Sequence, residues 1–133
     1  MAKFNTRAGR EYIGERGRDN IGDLTLHLFS NDAAITDTVS AAAFTDPAFA
    51  EYAAKPLAEN GWSALTIENG NPVTSHSQQE WSYSNAAAES IYGYYVTSAA
   101  GDVLWGNKFS TPQPVAPDSD STIQITPAIE FPA

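Results

Sequence analysis

The stretch "IYGYYVTSAAGDVLWGNKF", residues 91 to 109, constrains the fold more than any other part of the chain. Two runs of aromatic and branched residues flank the polar loop "SAAGD", where Gly101 can take the positive φ that a tight connection needs. This reads as a β-hairpin. Alternation along its first arm sets Tyr92, Tyr94 and Val96 against Ile91, Gly93 and Tyr95. On the second arm Val103, Trp105 and Phe109 oppose Leu104, Gly106 and Lys108. Both faces are partly apolar, whereas a sheet with one wet face shows polar residues there, so the hairpin is expected at the centre of the fold. Gly93 and Gly106 leave gaps that rings across the sheet can fill, and Trp105 is expected in the core.

Other segments extend the β reading. "DLTLHLF" sends Leu24, Leu26 and Leu28 to one side and Thr25, His27 and Phe29 to the other. "WSALTIENGNP" gives a strand with Leu65 and Ile67 on one side and turn chemistry in "NGNP". A polar strand is expected around Trp81 and Tyr83, and a last one in "STIQITPAIEF" with Ile123 and Ile125 on one face. In "FTDPAFAEYAAKPL", Thr45 or Asp46 can cap a short helix that has Pro47 in its first turn, turns Phe49 and Tyr52 inward and ends at Pro56. The prolines of residues 111–120 imply an extended segment. The expected architecture is mainly β: a single β-sandwich or jelly-roll-like domain over residues 23–133, with one short helix and an extended basic N-terminal arm, residues 1–22.

Charge separates the arm from the body. Residues 1–18 carry five of the seven basic groups against two acids, a net +3, and the remainder carries two against fourteen, a net −12. An acidic body repels nucleic acid and anionic membrane. No apolar run is long enough to span a bilayer and no signal-peptide pattern opens the chain, so synthesis in the cytoplasm is expected. The arm itself lacks a period, but Phe4, Tyr12 and Ile13 can anchor in pockets of a partner while Arg7, Arg10, Arg16 and Arg18 steer docking.

Catalytic and metal chemistry find no constellation. There is no cysteine, which removes thiolate ligands and nucleophiles. His27 and His76, the two histidines, stand on separate elements without a carboxylate at ligand spacing. Most acids have turn or cap neighbours, and Glu80, beside Trp81, has no second carboxylate in evidence. "GERGRDNIG" lacks both the preceding strand and the lysine of a phosphate loop. No catalytic residue, metal or cofactor is expected. A sugar-binding module remains open if Trp62, Trp81 or Trp105 lies exposed in a shallow groove.

"LTLHLFSND", "AAFTDPAFAEYAAKPL", "IYGYYVTSAAGDVLWGNKFSTPQPV" and "TIQITPAIEF", in this order, resemble the small structural proteins encoded among the head genes of tailed bacteriophages, in particular capsid cement or decoration proteins. The resemblance spans about residues 23–130. It implies a β-rich, non-enzymatic virion protein on the capsid surface that bridges subunits of the major capsid protein, as a homo-oligomer with a trimer favoured. A tail or baseplate component shares these features. On this reading the apolar surplus of the hairpin serves assembly, with Tyr92 and Tyr94 as interface candidates beside the arm residues.

Overall fold

The clean alternation of "LTLHLF" becomes β1, the first of nine strands among the described residues. In chain order the elements are α1 (Arg7–Arg16), β1 (Leu24–Phe29), β2 (Lys55–Leu57), β3 (Thr66–Glu68), β4 (Asn71–Ser75), β5 (Gln79–Tyr83), β6 (Glu89–Thr97), β7 (Val103–Val115), β8 (Ser121–Ile125) and β9 (Ala128–Glu130). The computed structural model describes residues 6–16, 22–83, 88–115 and 121–130. The strands form three antiparallel sheets, ordered β2-β1-β6-β7, β3-β4-β9 and β5-β8. The domain is mainly β and sandwich-like, as expected.

The four-stranded sheet is apolar on both sides. Leu24, Leu26 and Leu28 of β1 join Val96, Leu104 and Trp105 of the hairpin, and meet Trp81 and Tyr83 of β5, Ile123 and Ile125 of β8 and Ile129 of β9. A second cluster gathers Phe29, Tyr95 and Val103 under Ala33 and Phe44. Each aliphatic side chain of this size contributes roughly 1.5–3 kcal/mol when removed from water, so the two layers together hold the sheet from either side. Phe44 stacks on Tyr95 with ring centroids 4.2 Å apart, which fixes the loop of residues 30–46 over the second face.

The hairpin departs from simple alternation at two places. Val96 pairs with Trp105 but Thr97 pairs with Val103, so Leu104 is an extra residue on β7, a β-bulge. The bulge turns Leu104 to the same cluster as Trp105, where alternation had opposed them, and leaves Val103 in the other. A second irregularity, between Ile91 and Gly93, separates Tyr92 from Tyr94: Tyr92 packs on the second cluster and Tyr94 on the main one.

Two expectations are corrected. The chain over Arg7–Arg16 is helical rather than extended, because contacts with distant residues stabilise a segment whose own pattern is weak. The helix expected after Thr45 does not form, although Phe49 is buried and Tyr52 half-buried as foreseen. Its backbone groups are taken by remote partners: Ala48 N donates to the Glu89 carboxylate at 3.0 Å, and Ala53 O accepts from Trp81 Nε1 at 2.7 Å. Residues 111–115 of the proline-rich segment are extended as expected, forming the end of β7, and residues 116–120 lie outside the described ones.

Candidate partner interface

Thr6 begins the N-terminal site. Its Oγ1 accepts from Gly9 N at 3.0 Å, the capping contact that starts α1, and shares its hydrogen between Val103 O at 2.6 Å and Leu104 O at 2.8 Å. Thr6 is 1% exposed. Arg7 N donates to Asp37 O at 2.8 Å, so one loop carbonyl satisfies another N–H of the first turn. Helix α1 is thereby stapled to β7 and to the loop over the second cluster. This offsets its two glycines, each of which costs about 1 kcal/mol relative to alanine.

The cationic face of α1 stays in water. Arg10 forms an ion pair with Asp37, and Arg7 approaches the same carboxylate at 3.6 Å. The Arg10 hydrogen bond holds the Asp37 carboxyl below its usual range, with Arg7 and Arg10 charge adding to it. Both arginines are more than half exposed, so the pairs orient α1 more than they stabilise it. An open groove of about 320 Å³ runs beside them, lined among others by Glu11, Asp37, Ser40, Gly101 and Asp102.

The interface candidates thus divide. Arg7 and Arg10 lie together on the outer side of α1, and Tyr12 is half-buried against the main core. Tyr94, near Phe109 with ring centroids 6.5 Å apart, is largely enclosed, and burial pushes its hydroxyl pKa up. Tyr92 is half-buried on the other cluster. Phe4 and Arg18 lie outside the described residues, as do the side chains of Ile13 and Arg16. Thr6 and Asp37 were not singled out from the sequence, since Thr6 precedes no capping-box acid and Asp37 is distant from the arm.

No catalytic grouping assembles from the other candidates. His27 bonds Thr97 Oγ1 at 2.9 Å, whereas His76 is buried beside Ala58 O and Ser77 O. Exposed Glu80 accepts from Gln124 Nε2 at 2.8 Å. Among the described residues no group of three or more histidines, cysteines and acids is placed to hold a metal ion. Trp81 and Trp105 are each 1% exposed and Trp62 is half-buried, so the three make core rather than a flat sugar platform.

A second exposed feature is the β3–β4 hairpin. Asn69 and Gly70 both have positive φ, 51° and 82°, as the two-residue turn anticipated from "NG" requires. Leu65 and Ile67, read from the sequence as one strand face, are 39% and 68% exposed. Compared with known protein families, curated proteins and solved structures, the chain matches none.

Proposed function

We propose that the protein is a non-enzymatic capsid cement or decoration protein of a tailed bacteriophage, binding the major capsid protein at the capsid surface as a homo-oligomer, with a trimer favoured. The observation that carries the reading is the sequence resemblance over residues 23–130. Its fit with the architecture supports it: a β-rich body displays a basic helix and, as a second exposed element, a hairpin that carries Glu68 and the exposed Ile67. A clamp of this kind stabilises a shell by burying area across several subunits at once.

The test is the protein content of purified particles and their resistance to stress. Copy numbers comparable with the major shell protein, and loss of DNA at lower temperature or after milder osmotic shock when the protein is absent, are expected. Absence from particles, or equal robustness without it, overturns the proposal. A few copies per particle, confined to tails, favours the tail or baseplate reading instead.

A further inference from the structure

Sheet edges are where other chains can add, and folded proteins cover or interrupt them. On β7, the outer strand of the four-stranded sheet, Thr6 occupies the Val103 and Leu104 carbonyls, and Pro112 and Pro114 lack N–H groups further along. On β2, at the other side of that sheet, Pro56 is the middle residue. Strand β3 is also an edge, in the order β3-β4-β9, yet Thr66, Ile67 and Glu68 contain no proline and all three are exposed.

The register shows what this edge offers. Glu68 and Asn71 close the two-residue turn and so form a hydrogen-bonded pair. The next pair, Ile67 with Pro72, is non-hydrogen-bonded, and Pro72 needs no N–H toward β3 there. The N–H and C=O of Ile67 therefore point away from β4, to the open side, on the residue whose side chain is 68% exposed.

Charge selects the occupant. The β3-β4-β9 sheet carries two acids, Glu68 on the edge strand and Glu130 on β9, and its three strands contain no lysine or arginine. Four basic side chains elsewhere are engaged within the molecule: Arg7 and Arg10 by Asp37, Lys108 by Asp32, and Lys55 over the Trp81 ring. A second copy would bring an identical acidic hairpin to the same place. We propose that β3 is a docking edge which a basic, extended segment of a partner protein joins as an added strand, with an apolar residue against Ile67 and lysine or arginine against Glu68. Naming that partner as the capsid protein rests on the proposed function; the edge does not.

The experiment uses the isolated full-length protein, labelled with nitrogen-15, and the peptide acetyl-Lys-Val-Lys-Ile-Lys-Val-Lys-amide up to millimolar concentration. Its counterpart with glutamate in place of every lysine is the control. Expected are shifts centred on β3, slower exchange of the Ile67 amide, weakening with salt, and no response to the acidic peptide. Ile67→Pro removes the outward N–H without taking a ladder bond, and is expected to weaken binding by about tenfold or more, as is Glu68→Lys. If Ile67→Pro disturbs the hairpin, Ile67→Asp replaces it. No binding, shifts elsewhere, equal response to both peptides, or unchanged binding by the variants overturns the proposal. Protection of Ile67 that grows with protein concentration alone also overturns it, by making a second copy the occupant. Because no particle is involved, these outcomes leave the capsid reading to its own test.

Discussion

His27 lies flat against Tyr95, with ring centroids 4.5 Å apart and planes 5° from parallel, at the position where β1 and β6 place the two residues opposite each other. Burial lowers the His27 pKa below its usual 6.5, partly opposed by the charge of Asp46. The unfolded chain therefore takes up this proton first. The contribution is fully present above pH 6.5 and is lost as the pH falls through the lower folded-state value. Urea unfolding between about pH 7.5 and about pH 5.5 is expected to show stability falling with acid, and His27→Gln is expected to flatten that slope. An equal slope in the variant would place the titration elsewhere.

Replacing Thr6 by valine keeps the shape and removes the hydroxyl that caps α1 and meets two β7 carbonyls. A loss of about 1–2 kcal/mol is expected, with Thr6→Ser recovering most of it. Hydrogen exchange is the more telling measurement, because the Arg10 and Gly9 amides are expected to lose protection before the strands do. The same contacts make α1 part of the folded body, so removing residues 1–18 is expected to destabilise the domain rather than trim a loose tail.

The tryptophans differ in depth: Trp105 is 1% exposed and Trp62 is half-buried. Trp105→Ala is expected to cost about 3–5 kcal/mol, the range for emptying a large aromatic site. Trp62 is only half-buried, and its Nε1 is enclosed without a hydrogen-bond partner. Trp62→Phe removes that orphaned donor and is expected to leave stability within about 1 kcal/mol of the parent, or to raise it. Thermal and urea unfolding of the two variants check the contrast.

Gly93 is required by crowding rather than by its backbone angle. A Cβ there would come within 2.2 Å of Asn107 O and 2.9 Å of the Phe29 ring. Gly93→Ala is expected to destabilise by about 1–3 kcal/mol, the usual cost of overpacking, and to disturb the β6–β7 pairing. Gly101 has open space but φ +93°, so Gly101→Ala strains the loop alone. Amide spectra are expected to show the first change spreading through the sheet and the second staying local.

Local chemistry made much of the β structure legible. The leucine alternation of β1, the Asn69–Gly70 turn and the Gly101 connection follow from residues within a few positions of one another. Features decided by distant partners did not show. Helix α1 depends on Asp37 and on the β7 carbonyls, and β2 was hidden because Pro56 reads as a helix stop until its pairing with Thr25 is seen. The bulge at Leu104 depends on the register with β6, which no pattern within β7 reveals. That Leu65 and Ile67 are exposed did not follow from their shared strand side, because periodicity reports a shared face, not what lies over it.

The pairing of β1 with β6 sets a timetable for the chain as it leaves the ribosome. Leu26 finds its Val96 neighbour only after seventy further residues are made, and until then β2 is the one partner strand available to it. A nascent chain that has emerged as far as β5 thus carries the apolar strand β1 with only the three residues of β2 to pair with. Such distant closure favours slow folding and a period of exposed strand surface. The last large piece of the four-stranded sheet, β7, arrives together with the two carbonyls that hold α1, so the first helix made is among the last to be fixed.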